Sequence, residues 1–148
     1  MNAPEASVLA KVRQWLAHAD EDLRLAQYGL TMTVAPPPYR LIAYHAQQCA
    51  EKCLKAYLVF RQVDFPYTHN LAHLLDLCSL HAPWTENLRD AEELTPFAIT
   101  TRYPGEDEEV THAEAAHAIA LAQRVRTTIR QAMREAGVPL PAGGDLTP

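Results

Sequence analysis

This sequence has little glycine, few cysteines and no long apolar run. Its 148 residues include 5 glycines and 3 cysteines, which excludes a collagen-like repeat and a disulfide-rich scaffold. No apolar stretch approaches the roughly 18 residues that a transmembrane helix requires. The first residues show neither the basic nor the apolar region of a signal peptide. We therefore expect no membrane span and a protein of the reducing cytoplasm.

Basic residues are fewer than acidic ones, 13 against 18, which gives a formal net charge of -5. Binding of nucleic acid would have to depend on a local patch. The three cysteines, Cys49, Cys53 and Cys78, lack the spacing of a zinc site, and no set of His, Asp and Glu has it either. A glycine-rich phosphate loop and a serine nucleophile elbow are missing as well. We expect no metal and no cofactor.

Apolar residues recur at steps of three and four, the pattern of amphipathic helices. Pro36–Pro38 ends the first helix, and Thr68 is the predicted N-cap of the third. Thr111 and Glu114 have the spacing of a capping box, and Gly137 suits the position after a helix. The predicted helices cover about residues 4–32, 39–61, 69–80, 83 to between 96 and 100, and 112–136.

Five helical segments with short connections predict an all-α fold, a compact antiparallel, up-and-down bundle of four to five helices. Residues 1–137 are expected to form this bundle, and the Pro/Gly-rich residues 138–148 a flexible tail. The predicted inward residues of the second helix are Ile42, Ala46, Cys49, Ala50, Cys53, Ala56, Tyr57 and Phe60.

Charged residues between the apolar positions are predicted to face solvent. The acidic run Asp20–Asp22 lies within the first helix. Glu51 and Lys55 stand four residues apart, in the favourable order for a surface ion pair. The main basic surface predicted is the stripe of arginines on the last helix, Arg126, Arg130 and Arg134.

Three stretches resemble, in the same order, motifs of the HEPN domain family. Residues 46–56 read AQQCAEKCLKA and are similar to the family's AQQAAEKALKA stretch. Residues 65–71, FPYTHNL, are similar to its "fP.THdL" turn, and residues 101–105, TRYPG, to its "tRYPg" loop. An alanine-rich last helix also fits, so the resemblance covers about residues 8–135.

The resemblance implies an antiparallel helical bundle that is often dimeric. Many members of the family are encoded beside a minimal nucleotidyltransferase, with which they form toxin–antitoxin-like pairs. Some are metal-independent ribonucleases with an Arg-x4–6-His motif at the dimer cleft. Others are thought to bind nucleotides without cleaving RNA.

The ribonuclease motif is incomplete at its natural position. Arg102 is the counterpart of the family's arginine, but the histidine positions hold carboxylates, Asp107, Glu108 and Glu109. Such acids repel an RNA backbone. We therefore expect ribonuclease activity to be lost or reduced, unless Arg102 meets His69 or His112 in the fold.

Two literal matches to the motif lie elsewhere, Arg13 with His18 and Arg40 with His45. Inside a helix, residues five apart point about 140° away from each other. A catalytic pair must converge on one phosphate, so neither match is a strong candidate. Arg40 with His45 remains a variant of the ribonuclease alternative.

The candidate ligand-binding residues are Arg102, Tyr103, His69, Lys52, Lys55 and Glu51. Arg102 would clamp a phosphate or carboxylate, and Tyr103 would stack on a base or pack in the core. Lys52 and Lys55 would bind phosphate or lie on a solvated face with Glu51. His69, near a helix N-terminus, would bind an anion or serve in packing.

The sequence thus favours a HEPN-type module that binds a nucleotide or RNA phosphate. It would act as a homodimer that recruits a separately encoded minimal nucleotidyltransferase. The first alternative is a metal-independent toxin ribonuclease that uses Arg102 with a distant histidine. The second is a purely structural dimer whose exposed helix face recruits a protein.

Overall fold

A computed structural model describes residues 5–33, 36–99 and 109–140 of the chain. These ranges contain four α-helices, α1 (Ala6–Leu30), α2 (Tyr39–Phe60), α3 (Leu71–Ser79) and α4 (His112–Glu135), and a 3₁₀ segment, Pro83–Ala98. No strand occurs within them, which confirms the all-α fold class. No helix in these ranges is long and apolar enough to cross a bilayer.

The central helix is α2, which packs against α1, α3, α4 and the 3₁₀ segment. All eight of its predicted inward residues are buried. The ring of Tyr39 lies 5.5 Å from that of His112 at the first turn of α4, so α2 and α4 run in the same direction. Lys55 in the second half of α2 lies against Trp15 in the first half of α1, and Gly29 near the end of α1 meets Ile42 near the start of α2, so α1 runs antiparallel to α2.

A close crossing of α1 and α2 depends on Gly29. A Cβ atom added there would lie 2.6 Å from Cγ1 of Ile42, well inside van der Waals contact. The small residue therefore lets the two helices meet where they approach the connection between them.

The ends of the helices are set by local signals. The capping box at α4 is present, with the Thr111 side chain accepting from the backbone N–H of Glu114. Gly137 follows α4 with φ of 89°, in the left-handed region that favours glycine.

The predicted N-cap of the third helix is wrong. Asn70, and not Thr68, caps α3, because its side chain accepts from the backbone N–H of His73. Thr68 instead accepts from the N–H of Asn70.

The fourth helical segment is 3₁₀ throughout, with Pro96 inside it. Val138 is buried and Leu140 packs against the core, so residues 138–140 lie against the bundle.

The prediction of solvated charged faces is wrong for several residues. Asp22, Gln48, Glu51, Lys55 and Arg130 are all buried. Their side chains are paired with one another or with neighbouring polar groups, which is the condition under which charges are tolerated inside a protein.

Candidate functional site

Three buried polar residues of α2 and a partly exposed histidine form a hydrogen-bonded group, and we call Gln47, Glu51, Lys55 and His69 the Glu51 cluster. Lys55 Nζ donates to Oε2 of Glu51 at 3.0 Å. Nδ1 of His69 lies 2.7 Å from Oε1 of the same carboxylate. Gln47 Nε2 donates to that Oε1 at 3.1 Å. One carboxylate therefore joins a lysine, a histidine and an amide.

Helical spacing and one turn assemble the Glu51 cluster. Gln47, Glu51 and Lys55 are four residues apart, so their side chains stack along one line of α2. His69 arrives from the connection between α2 and α3, where its carbonyl accepts from Gln47 Nε2 at 3.4 Å. The Asn70 cap fixes the start of α3 directly after it.

Aromatic rings surround the ammonium group of Lys55. Its Nζ lies 5.6 Å from the ring centroid of Trp15 and 5.8 Å from those of Phe65 and Tyr67. Such contacts stabilise a cation most where water is excluded. The Lys55 side chain is 6% exposed and that of Glu51 4%, so this ion pair is an internal one.

The Glu51 cluster reaches solvent through His69 and the adjacent Tyr67. The His69 side chain is 43% exposed, Tyr67 is 91% exposed, and their ring centroids are 5.5 Å apart. Glu51 and Lys55 form an internal ion pair, so His69 and Tyr67 are the parts of this site that a ligand from solution would meet.

The predicted partner Lys52 belongs to a different group. Successive residues of a helix point about 100° apart, and Lys52 donates to Oδ2 of Asp22 on α1. Nδ1 of His45 lies 2.8 Å from Oδ1 of Asp22. We call Asp22, His45 and Lys52 the Asp22 cluster. The structure thus brings Glu51, Lys55 and His69 together and separates Lys52 from them.

Two of the three arginines in the predicted stripe of α4 form ion pairs with Asp20 of α1. Arg126 Nε donates to Oδ1 of Asp20 at 2.7 Å, and Arg130 NH1 lies 3.8 Å from Oδ2. Although burial acts to lower it, hydrogen bonding to Asp20 leaves the pKa of Arg126 raised. Burial and the nearby charge of Arg126 lower the pKa of Arg130. Only Arg134 of the predicted stripe is exposed.

The other candidate residues are dispersed or undescribed. Arg102 and Tyr103 lie in residues 100–108, outside the described ranges. Arg40 is exposed on the first turn of α2, and His112 is exposed with its ring against Tyr39. His45 is held by Asp22.

Buried thiols lie within the core. Burial raises the pKa of Cys78 to about 12. A hydrogen bond with Cys53, and then burial, raise the pKa of Cys49. Among the described residues, no group of three or more His, Cys, Asp and Glu side chains is placed to hold a metal ion.

Several residues in or beside the two clusters were not predicted to belong to a functional site. The spacing of Gln47 from Glu51 is a signal that could have identified it. Trp15, Phe65, Tyr67 and Asp22 contact the predicted residues only through tertiary packing, and no local pattern marks such contacts.

Comparisons with known proteins agree with the bundle. The HEPN domain family matches residues 12–132. A crystal structure of TT1696 from Thermus thermophilus is similar, with a TM-score of 0.65 and 29% identity over 82% of this chain and 97% of that one. ST0689, an archaeal HEPN homologue, has a TM-score of 0.65 and 26% identity over the same shares. No curated protein matches the chain.

Proposed function

Because the chain belongs to the HEPN domain family, we propose that it is a module that binds a nucleotide or an RNA phosphate group. The observation that carries this proposal is the Glu51 cluster, in which three predicted ligand residues, Glu51, Lys55 and His69, meet. A half-exposed histidine beside a buried cation offers a place for an anion at the surface.

Binding without cleavage is supported by the sequence after Arg102. Carboxylates occupy the positions at which a family ribonuclease has its histidine, Asp107, Glu108 and Glu109. A binding module needs no general acid or base, whereas cleavage of RNA needs a group to accept or donate a proton.

As part of the same proposal, the chain acts as a homodimer in the cytoplasm and partners a minimal nucleotidyltransferase in a toxin–antitoxin-like pair. An exposed apolar stripe on α1 supports an association surface. Leu25 is 55% exposed and Tyr28 68%, and their spacing places them on one side of α1. Met32, which is 48% exposed, follows shortly after the helix ends at Leu30. The same stripe would serve the alternative of a purely structural interaction module.

The proposed function is tested by calorimetric titration of the full chain with nucleoside mono-, di- and triphosphates and with a short RNA. Co-expression with the product of the adjacent gene, followed by affinity purification, tests the partnership. Lys52→Gln, in the Asp22 cluster, is the matched control for Lys55→Gln. We expect nucleotide binding that Lys55→Gln weakens and Lys52→Gln leaves unchanged. Absence of binding in the titration would contradict the proposed ligand, and absence of co-purification the proposed partner.

The ribonuclease alternative has a separate test. Purified protein is incubated with total RNA in the presence of a chelator, beside Arg102→Ala, His69→Ala, His112→Ala and His45→Ala. We expect no cleavage by the unaltered chain. Cleavage that Arg102→Ala abolishes would establish the alternative instead.

A further inference from the structure

Tyr67 is 91% exposed and the His69 side chain is 43% exposed, so a ligand in solution can contact both. We propose that they form the two halves of a nucleotide subsite. The base stacks on the ring of Tyr67, and the phosphate accepts a hydrogen bond from Nε2 of protonated His69. This inference rests on the proposed function and states which side chains contact the ligand.

The tautomer of His69 is set by its contact with Glu51. Nδ1 lies 2.7 Å from Oε1 of that carboxylate, so it carries the proton and donates. Nε2 of the neutral ring is then an acceptor, which repels a phosphate oxygen. Protonation converts Nε2 into a donor and gives the ring a positive charge. The anion is therefore bound only when His69 is protonated.

Lys55 supports the subsite from behind without touching the ligand. Its side chain is 6% exposed and its ammonium group is committed to Glu51. Glu51 and Lys55 together carry no net charge. The carboxylate therefore holds His69 in place, while the lysine cancels most of its repulsion of an incoming phosphate.

Tyr67 supplies the surface for the base. Its ring is 5.5 Å from the His69 ring at an interplanar angle of 72°, and the residue is 91% exposed. Aromatic side chains beside a cationic group are the usual platform for nucleobases, because every base has a π-face.

Within the described ranges, the charged side chains that face His69 come from α2. On α2 they are Glu51 in direct contact and Lys55 behind it. In its own connecting segment, the contact is Tyr67. From α1, the neighbouring contribution is the ring of Trp15 against Lys55. Next to His69, α3 and the 3₁₀ segment meet at a hydrogen bond between Leu71 N–H and the Thr95 hydroxyl, and neither group titrates near neutral pH.

The test compares the binding of AMP, adenosine and inorganic phosphate by calorimetry. All titrations are run at one pH, about 5.5, so that the charge of AMP and of phosphate is the same for every variant. The full chain is compared with Tyr67→Ala, Tyr67→Phe and His69→Gln. His73→Gln, which changes an exposed histidine on α3, is the matched control. Circular dichroism verifies that each variant is folded.

We expect His73→Gln to bind AMP and phosphate as tightly as the unaltered chain does. Tyr67→Ala should weaken AMP roughly tenfold, as loss of one stacked base predicts, and leave phosphate unchanged. Tyr67→Phe should keep AMP affinity. His69→Gln should bind both anions more weakly than the unaltered chain does.

Two outcomes overturn the inference in distinguishable ways. If AMP binds the unaltered chain, but Tyr67→Ala and His69→Gln bind it equally well, the subsite is wrong and the proposed function stands. If neither AMP nor phosphate binds the unaltered chain, both the subsite and the proposed function are wrong.

Discussion

At the scale of single residues, the unusual feature is a charged pair inside a helical bundle. Removing two charges from water costs several kcal/mol for each ion. The contact between Glu51 and Lys55 offsets this cost only because the carboxylate also binds His69 and Gln47, and aromatic rings face the ammonium group. The network therefore depends on every partner being present.

Glu51→Gln should destabilise the chain strongly. The substitution leaves the buried Lys55 without a counterion, and breaking one partner of a buried pair costs about 3–5 kcal/mol. Chemical denaturation measures the change in unfolding free energy. The double variant Glu51→Leu/Lys55→Met should lose less than Glu51→Gln, because it removes both charges.

The control for that variant is Glu93→Gln, which removes an exposed carboxylate beside His117. Exposed pairs contribute little, so we expect a change of no more than about 1 kcal/mol. Equal losses for Glu51→Gln and Glu93→Gln would contradict the internal character of the Glu51–Lys55 pair.

The cysteines should be unreactive in the folded chain. Thiolate is the reactive form, and burial raises the pKa of Cys78 to about 12 while that of Cys49 is also raised. Alkylation at pH near 8, followed by mass spectrometry, should label none of the three thiols until denaturant is added. Rapid labelling of Cys49 or Cys78 under native conditions would contradict their burial.

The same raised pKa values set the alkaline stability of the chain. A thiol whose pKa is higher folded than unfolded stays protonated longer in the folded chain. Unfolding then releases protons, so stability falls as pH rises above the ordinary value, near 9. The contribution is fully present below that pH and is lost as pH approaches the folded value of Cys78, about 12.

At the scale of elements, periodic patterns predicted the helices better than they predicted the surroundings of individual side chains. The steps of three and four identified α1, α2 and α4, because those helices bury apolar stripes. The capping box at Thr111 and the turn at Gly137 were also local and therefore visible. Periodicity does not distinguish a 3₁₀ helix from an α-helix over residues 83–98. At the start of α3, Thr68 and Asn70 are both residue types that cap helices, and the sequence does not show which of them does so.

The close contact of α1 and α2 at Gly29 is testable by Gly29→Ala. Alanine favours a helix by about 1 kcal/mol over glycine, but the new Cβ meets the side chain of Ile42. Overpacking typically costs about 1–3 kcal/mol, so we expect net destabilisation. In an Ile42→Ala background the cost should disappear. Stabilisation by Gly29→Ala in the native background would contradict the close crossing.

At the scale of the whole molecule, the fold was predictable and the candidate site only in part. On the predicted second helix, Glu51 and Lys55 lie about one turn apart. That they are internal, and that His69 joins them, depends on how α1 and the connection before α3 cover α2. Asp22 similarly captures Lys52 from another helix. Contacts between distant segments leave no local pattern in the sequence. The sequence therefore did not predict that Lys52 and Lys55, both candidates for phosphate binding, lie in different clusters.

The exposed stripe on α1 makes a prediction about assembly. If Leu25, Tyr28 and Met32 are covered in a homodimer, Leu25→Glu with Tyr28→Glu should convert the dimer to a monomer, because each buries a charge in an apolar interface. Sedimentation velocity measures the assembly. Arg24→Glu, an exposed change on the same helix, is the control. A dimer that survives the double substitution would contradict this interface.

The most direct measurement is a titration of the isotopically labelled chain with AMP, followed by two-dimensional NMR. Binding at the Glu51 cluster predicts that the largest shifts occur at Tyr67, His69, Glu51 and Lys55, with little change at His45 and Lys52 of the Asp22 cluster. A spectrum that AMP leaves unchanged, or shifts centred on the Asp22 cluster, would contradict the assignment of the nucleotide site.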